Sequence, residues 1–287
     1  MTDDLLVPAI DVERLTYSFT HDLEPALEDV TLTLHRGSRC LVIGANGAGK
    51  STLLRILAGK RLIKGAKCSI FGHDVFNNLP GGVVYLGTEW SSNPVVRGDI
   101  VVSDFLDSVG GYRHKERRDR LLRILDVDVD WHMHQISDGE RRRVQLCMGL
   151  MGHWDVLLLD EVTVDLDVLV RADLIEFLVE ESKIRNATIL YATHIFDGLS
   201  SFPTHICHLQ LGTALPLLPW PLAIPSGDAS TAETDRDPDS LFHLALEWLR
   251  EDRNLRRGRD SARGKHRGPK AETTNARTFF EKYDYAH

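Results

Sequence analysis

Apolar and polar positions alternate through the front part of the chain, which is the pattern of half-buried β-strands. Gly37 turns the chain between two of these segments. The segments that alternate are residues 9–19 and, more clearly, 26–34. The strand 39–43, which contains the apolar run 40–43, and residues 68–71 and 83–86 continue the sheet. The front part of the chain is therefore predicted to be rich in β-structure.

Further along, the spacing of the apolar residues changes. From Val101 to Leu125 it is helical, and we interpret the basic run Arg113 to Arg120 as the solvated face of a helix. Another helix is predicted after Ile136. The continuous apolar runs 156–160 and 188–193 predict buried strands, with a helix between them. This order predicts an α/β fold with a helical part at about residues 90–150.

The segment from Gly44 to Ser51 has the glycine, lysine and hydroxyl spacing of a P-loop, between a predicted strand and a predicted helix. Its glycines let the backbone turn tightly and aim amide groups at phosphate oxygens, Lys50 neutralises charge, and Ser51 offers its hydroxyl to Mg²⁺. The dipole of the following helix also favours an anion. The predicted phosphate-binding residues are Gly44, Ala45, Asn46, Gly47, Ala48, Gly49, Lys50, Ser51 and Thr52.

Composition limits the class of protein without identifying a partner. The chain has 287 residues, 43% of them hydrophobic and 26% charged, which is enough for one large α/β domain with appendages. Its formal charge of -8 argues against a surface that is wholly a nucleic-acid platform. Its four cysteines have no repeating spacing and predict free thiols. We find no secretory signal and no membrane span, and expect a soluble intracellular protein.

A second chemical element follows the apolar run 156–160, which ends in Asp160 and Glu161. Phosphoryl transfer needs carboxylates on the far side of the metal. We predict that Asp160 holds Mg²⁺, directly or through water, and that Glu161 polarises the water that attacks the terminal phosphate. Because such strand ends are common, this prediction depends on the P-loop that precedes it.

Residues 136–144, Ile-Ser-Asp-Gly-Glu-Arg-Arg-Arg-Val, lie between these two elements. They resemble the signature motif of ABC-type ATPases, usually Leu-Ser-Gly-Gly-Gln followed by a polar stretch and Arg-Val. The resemblance implies that Ser137, Gly139 and Glu140 bind the terminal phosphate of nucleotide held by another subunit. It also implies a P-loop ABC-type nucleotide-binding domain with a β-rich subdomain, a RecA-like core and a helical signature subdomain.

Three further positions are similar to the same family. Asp167 ends a run that resembles the family's D-loop, which implies a place at the subunit interface. His194 follows a predicted strand and matches the switch histidine that contacts the terminal phosphate. Phe19 lies where the family stacks an aromatic ring on adenine, with Tyr17 as the alternative. The resemblance therefore implies ATP and Mg²⁺ as cofactors, with Glu161, His194 and Lys50 as the catalytic residues.

The sequence also departs from the family pattern. Asp138 and Glu140 replace the usual Gly and Gln, which adds negative charge near a phosphate and predicts slow turnover. The family expects a Gln after residues 83–86, where this chain has Gly-Thr-Glu. Thr88 is the candidate metal ligand there, with Glu89 as the alternative, and coupling to a membrane partner is put in doubt. Val162 replaces the proline that the family usually has after the two carboxylates, and we expect this change to have a mild effect.

Composition divides the rest of the chain. The resemblance implies an ATPase domain over residues 1–215, and residues 216–240 are predicted to be a linker or loop. Residues 241–250 predict a helix that docks through its apolar face. Residues 251–287 predict a mostly disordered basic tail. We interpret it as a solvated tail, with contact to RNA, DNA or an acidic protein, or a nuclear import signal, as weaker alternatives.

Two histidine pairs, His132 with His134 and His205 with His208, have no second half at zinc-like spacing. We therefore interpret these histidines as packed or surface residues rather than as metal ligands.

Several segments outside these motifs narrow the resemblance to one group within the family. Among them are Tyr85 to Trp90, Trp131 to His134 and His243 to Leu249. They are similar to the soluble, non-transporter ABC ATPases associated with the CCR-NOT regulatory complex. That resemblance implies CCR-NOT proteins as partners in the control of transcription or mRNA metabolism, in the cytoplasm and with the nucleus left open. One P-loop and one signature per chain imply a head-to-tail homodimer that hydrolyses ATP.

Two other functions stay open at this point. One is the ATPase subunit of a transporter whose membrane chain is separate, and the altered Gln position argues against it. The other is an adaptor in which ATP closes the dimer as a switch and hydrolysis is incidental.

Overall fold

The computed structural model describes residues 7–20, 24–92, 94–221, 240–262 and 264. A small antiparallel sheet has the strand order β2-β1-β4-β5. Its strands are β1 (Ile10–Tyr17), β2 (Leu27–Leu34), β4 (Lys67–Ile70) and β5 (His73–Asp74). Burial alternates along β2, where Val30, Leu32 and Leu34 are buried and the residues between them are exposed. The alternating segments of the sequence thus fold as predicted.

A second sheet of seven strands forms the centre of the protein, in the order β10-β9-β3-β8-β7-β6, with β11 paired to β9. Its strands are β3 (Arg39–Ile43), β6 (Val83–Leu86), β7 (Val156–Asp160), β8 (Thr188–Ala192), β9 (His205–Gln210), β10 (Thr213–Ala214) and β11 (Leu218–Pro219). The strands β9, β3, β8, β7 and β6 are parallel to one another. Strands β3, β7 and β8 are buried along their whole length, which explains their continuous apolar runs.

Six α-helices lie in the described ranges, together with short 3-10 helices at 88–92, 94–97 and 111–114. The α-helices are α1 (Lys50–Leu57), α2 (Val102–Ser108), α3 (Lys115–Ile124), α4 (Asp138–Met151), α5 (Val168–Arg185) and α6 (Ser240–Ala262). Helices α2 to α4 fall in the region where the sequence predicts a helical subdomain. Within the described ranges, no helix combines the length and the apolar composition that crossing a membrane requires.

Two hydrophobic cores lie on opposite faces of the central sheet. One contains the small sheet and α1, and the other contains residues of α2 to α6. Strand β3 contributes to both, because Cys40 and Val42 lie in the first core whereas Leu41 and Ile43 lie in the second. The strand that carries the P-loop is therefore shared between the two cores.

The basic run 113–120 is not uniformly solvated, which corrects our interpretation. The Arg117 side chain is only 13% exposed and forms an ion pair with Glu181 of α5. It also donates a hydrogen bond of 2.7 Å to the carbonyl oxygen of Leu150 and lies over the ring of Phe177. Arg117 therefore joins α3 to α5, whereas Lys115 and Glu116 are exposed.

The C-terminal helix is longer than predicted. We expected it to end at residue 250 and disorder to follow, but α6 continues to Ala262. Its predicted apolar face packs on the second core, where Leu241 and Ala245 are fully buried. Asp252, which is also fully buried, lies 3.0 Å from Nε2 of His208, whose ring stacks on Trp248. The linker predicted for residues 216–240 is wrong at its start, because Leu218 and Pro219 form β11 and pair with β9. Its residues 222–239 and the tail from residue 265 lie outside the described residues.

Candidate functional site

The P-loop and the two carboxylates meet at one edge of the central sheet. Strands β3 and β7 are both parallel neighbours of β8, so their carboxyl ends lie at the same edge. The loop 44–49 follows β3, and Asp160 and Glu161 lie at the end of β7. Two segments separated by more than a hundred residues of sequence are thereby placed side by side.

The loop itself requires glycine, as Gly44 and Gly49 show. A Cβ on Gly44 would lie 2.4 Å from the carbonyl oxygen of Leu209, and Gly49 has a φ of 100°. The Lys50 ammonium donates hydrogen bonds to the carbonyl oxygens of Gly44 at 2.8 Å and Ala45 at 3.4 Å. Burial lowers the pKa of Lys50, and the carboxylates of Glu161 and Asp160 oppose this effect. The lysine charge is thus held at the loop.

Asp160 connects the loop to the strand that neighbours β7. Its Oδ1 accepts a hydrogen bond of 2.9 Å from the Ser51 hydroxyl, and its Oδ2 accepts one of 3.2 Å from the Tyr85 hydroxyl. Burial raises the pKa of Asp160, and the hydrogen bonds from Ser51 and Tyr85 oppose the rise. A hydroxyl and a carboxylate side by side are hard oxygen donors of the kind that Mg²⁺ prefers. The two residues therefore fit the predicted metal.

Glu161 and His194 form a second pair at the same edge. His194 Nδ1 lies 2.8 Å from Glu161 Oε2, and the His194 amide donates to the same oxygen at 3.3 Å. Glu161 has a φ of 53°, and its amide donates to the carbonyl oxygen of Ala192 at 2.9 Å. Glu161 thus contacts the last residue of β8 through its amide, and His194, two residues further on, through its side chain. The two residues predicted to handle the terminal phosphate are thus in contact.

The P-loop, Glu161 and His194 border a cavity of about 440 Å³, and Asp160 is not among its lining residues. Its lining consists of Phe19, Ala26, Asn46, Gly47, Gly49, Lys50, Ser51, Thr52, Glu161 and His194. All but Ala26 are among the residues predicted from the sequence. The structure therefore brings together the loop, the three catalytic candidates Lys50, Glu161 and His194, and the aromatic candidate.

Phe19 lies at the mouth of this cavity with 53% of its surface exposed. Its ring packs edge to face on Tyr17 at 5.3 Å, and the Arg61 guanidinium lies 5.0 Å from its centroid. Tyr17 is not among the lining residues, and its hydroxyl accepts a hydrogen bond from Arg61. Of the two aromatic candidates, Phe19 is therefore the one that is free to stack on a base.

Thr88 and Glu89 are not among the residues that line the cavity. Thr88 begins a 3-10 helix, and Glu89 forms a salt bridge of 2.8 Å with Arg55 of α1. Asp160 instead contacts Tyr85, which sequence reasoning missed because the tyrosine lies within an ordinary apolar strand. Burial raises the pKa of Tyr85 to about 12, so its hydroxyl stays protonated and donates to Asp160.

The signature residues lie at the start of α4 and do not line the cavity. Ser137 caps the helix, and its hydroxyl accepts from the Glu140 amide at 3.2 Å. Glu140 Oε2 in turn accepts from the Ser137 amide at 2.8 Å, which completes a capping box. The hydrogen bonds from Ser137 lower the pKa of Glu140. The Glu140 carboxylate thus binds its own helix end, which the sequence did not predict.

The loop that follows β7 lies against this helix end. A Cβ on Gly139 would be 3.0 Å from the carbonyl oxygen of Asp165. Asp167 caps α5 by accepting from the Val170 amide at 3.0 Å, and it forms a salt bridge of 2.9 Å with Arg143 of α4. The apolar side chains Val164, Val168 and Leu169 are exposed here. The signature and the predicted D-loop therefore form one surface with uncovered apolar groups.

The fold and this site together define a P-loop nucleoside triphosphatase with a separate signature helix. Comparison with known proteins identifies the family within this class. Residues 27–164 match the family model described as ABC transporter. The chain is also 42% identical over 277 residues to CCR4-associated factor 16 of Saccharomyces cerevisiae, covering 86% of this chain and 96% of that protein. The chain belongs to the ABC ATPase family and is an ATP-hydrolysing enzyme of the P-loop class.

Other similarities agree with this assignment. ABC transporter I family member 20 of Arabidopsis thaliana is 41% identical over 261 residues, which cover 87% of this chain and 76% of that protein. A solved dimeric ATP-binding cassette bound to ADP and Pi aligns with a TM-score of 0.60 at 17% identity, over 73% of this chain and 98% of its own. The solved structure supports the fold alone, because its sequence is so distant.

Proposed function

We propose that the chain hydrolyses ATP as a head-to-tail homodimer with two composite sites. The observation that supports this proposal is the separation of the site into two surfaces. The cavity is lined by the P-loop, Glu161 and His194, whereas Ser137 and Gly139 lie on another surface of the same chain. A second copy in the opposite orientation would bring its signature to the open cavity.

The predicted catalytic, metal-binding and stacking residues then have defined tasks. Lys50 would exchange its loop carbonyls for phosphate oxygens and offset their charge. Glu161 would accept a hydrogen bond from the attacking water, and His194, which lies 2.8 Å from it, would contact the terminal phosphate. Ser51 and Asp160 would hold Mg²⁺, whose charge stabilises the phosphates when it is bound. Phe19 would stack on the adenine ring.

The test is the substitution Glu161→Gln, which keeps the size of the side chain and removes its basic oxygen. We expect it to bind ATP with Mg²⁺ and to accumulate as a dimer, because the nucleotide is not hydrolysed. Light scattering with and without ATP measures the dimer, and phosphate release measures hydrolysis. Lys50→Ala is the matched control and should stay monomeric in both conditions. A Glu161→Gln variant that is monomeric with ATP and hydrolyses it at the full rate would exclude the mechanism.

We also propose the cellular process in which this ATPase acts. The yeast relative is named CCR4-associated factor 16, and we infer that this chain likewise acts with proteins of the CCR-NOT complex in the control of transcription or mRNA metabolism. Cytoplasm, with the nucleus as a second location, is the corresponding expectation. A nucleic-acid contact by the basic tail stays a prediction, because residues from 265 on lie outside the described part of the chain.

The same two variants test this partner assignment. Untagged extract would be passed over immobilised wild-type protein, Lys50→Ala and Glu161→Gln, each with ATP. CCR-NOT subunits should be retained most by Glu161→Gln if the closed dimer is the binding form. Equal retention by Lys50→Ala would argue against an ATP-gated switch, and absence of these subunits from all three would remove the assignment while leaving the ATPase site untouched.

A transporter subunit remains the second candidate, because another relative is named ABC transporter I family member 20. Against it, Gly87 stands at the position of the usual Gln, and its carbonyl accepts hydrogen bonds from Arg142 at 2.8 Å and Gln145 at 3.0 Å. Cell fractionation separates the candidates, since a transporter subunit sediments with membranes and is released when its membrane chain is removed.

A further inference from the structure

Two extended segments of the helical region pair in front of α4. The Met133 amide donates to the Ile100 carbonyl at 2.9 Å, and the Val102 amide donates to the Trp131 carbonyl at 2.9 Å. These bonds flank an antiparallel bridge between Val101 and His132. The backbone pairing fixes which side chains of the two segments face one another.

Side chains alternate along these extended segments. Met133 is fully buried in the second core, so His132 and His134 on either side of it point away from the core. Asp99 meets them from the opposite segment. Its Oδ1 lies 2.8 Å from His132 Nδ1 and 3.2 Å from His134 Nδ1. Two imidazoles and one carboxylate thus converge from two segments on one point.

These three groups lie close enough together to share one transition-metal ion. One ligand atom from each residue lies within 4.8 Å of the other two. A tetrahedral zinc ion at bond lengths of about 2.0–2.2 Å separates its ligand atoms by roughly 3.3 Å, so only small side-chain movements are needed. All three side chains are partly exposed, which leaves a path for an ion and room for a water molecule.

We propose that Asp99, His132 and His134 bind Zn²⁺, with water as the fourth ligand. Imidazole nitrogen favours zinc over Mg²⁺, which requires oxygen ligands in an octahedral arrangement. Each ring would bind through Nδ1 and carry its proton on Nε2. For His134 this requires the side-chain amide of Gln135, whose nitrogen lies 3.1 Å from His134 Nε2, to turn its oxygen toward the ring. The site is separate from the ATP cavity, none of whose lining residues belongs to it. It therefore goes beyond the proposed function and does not depend on it.

The proposed zinc site lies next to the signature helix α4 and is connected to it by hydrogen bonds. The Gln135 amide donates to the His132 carbonyl at 2.9 Å, and Arg141 of α4 donates to the carbonyls of Met133 at 3.0 Å and Ile136 at 2.9 Å. The segment that ends in the signature residue Ser137 is thus tied to the zinc ligands. Bound zinc would join this segment to Asp99 and stabilise the helical region.

The experiment uses the full-length chain without an affinity tag and without nucleotide, since nucleotides bind zinc themselves. Isothermal titration with Zn²⁺ should give one site per chain that is absent with Mg²⁺. The double variant His132→Ala/His134→Ala should weaken this site by at least about ten-fold, because losing a direct ligand costs at least as much as losing an outer-shell partner. Asp99→Asn is a milder second variant that keeps the shape of the side chain.

His153→Ala is the matched control, because His153 is also an exposed histidine, paired with Asp155 at 3.2 Å, but in the described chain it belongs to no group of three ligands. It should bind zinc like the wild type. Zinc should also raise the melting temperature of the wild type and of this control, but not of the double variant. Co²⁺ should give the visible absorption of tetrahedral coordination without thiolate bands, because all four cysteines are buried.

Two results would overturn the proposal. One is a wild-type chain that shows no zinc binding, which would leave the three residues as a hydrogen-bonded cluster only. The other is an unchanged zinc affinity in a folded double variant, which would place the bound ion elsewhere.

Discussion

Two glycines of the P-loop have positive φ angles, but their surroundings differ. Gly47 has a φ of 82°, and an added Cβ would meet nothing within 4 Å. Gly49 has a φ of 100°, and its Cβ would lie 2.6 Å from both the Ala26 carbonyl oxygen and Leu27 Cδ2. The first position needs glycine only for its backbone conformation, whereas the second also needs the space.

This difference predicts unequal costs for the same substitution. Gly47→Ala should lower the free energy of unfolding by about 1–2 kcal/mol, the cost of a left-handed backbone for a residue with Cβ. Gly49→Ala should cost about 1–3 kcal/mol more, because the backbone around Ala26 must also move. Urea denaturation measures both. Equal costs would show that the loop relaxes freely at both positions.

At the scale of single residues, the sequence predicted most of the residues that line the cavity. It did not predict the hydrogen bonds between the side chains of the site. Local spacing indicated Lys50, and Glu161 once the P-loop had been found, whereas the role of His194 was implied by the resemblance to ABC-type ATPases. The hydrogen bond from the Tyr85 hydroxyl to Asp160 joins residues that are 75 positions apart in the sequence, and it depends on the pairing of β6 with β7. No local pattern encodes that pairing, so this residue was missed.

At the scale of elements, helix α6 shows how a tertiary contact extends a helix. Residues 251–262 contain few apolar side chains, and the sequence therefore predicted disorder. A buried polar pair accounts for the longer helix. Asp252 lies against His208 of β9, and both side chains are excluded from solvent. Asp252 is also one of several acidic groups that raise the pKa of Lys50 against the larger effect of burial.

We therefore expect Asp252→Ala to lower the free energy of unfolding by about 1–3 kcal/mol, because His208 would lose its acceptor in a buried place. The neighbouring Glu251 is exposed on the same helix, and Glu251→Ala should change stability by less than about 0.5 kcal/mol. Chemical denaturation followed by tryptophan fluorescence compares the two. If both variants have the same stability, the pair does not hold the helix.

At the scale of the whole molecule, the exposed apolar residues of α5 test the proposed dimer. Leu169 beside the predicted D-loop and Ile184 near the other end of this helix are each 71% exposed. Only Leu169 lies on the surface shared with the signature helix. The helix thus offers two equally exposed sites, one inside the proposed interface and one outside it.

In the Glu161→Gln background, Leu169→Glu should abolish the ATP-dependent dimer, because a charge would be buried in the interface. Ile184→Glu should leave it intact. Both variants should still bind ATP, which fluorescent nucleotide titration measures. Light scattering follows assembly, and with ATP only Leu169→Glu should stay monomeric. Loss of the dimer in both variants, or in neither, would place the interface elsewhere.

The overall fold was the most predictable level. Alternation predicted the small sheet, continuous apolar runs predicted the buried strands β7 and β8, and the order of motifs implied the family. The helical region was predicted as a whole, but the Arg117 ion pair within it was not, because a basic run carries no information about a partner on a distant helix.

Strand β3 belongs to both hydrophobic cores, and this has a consequence for how the protein responds to its substrate. A substitution that disturbs either core would therefore also disturb the strand that carries the P-loop, which would link stability to nucleotide affinity. ATP bound at the end of β3 would in turn support both halves of the protein. Substitutions far from the site would then weaken ATP binding, and saturating ATP would partly rescue them.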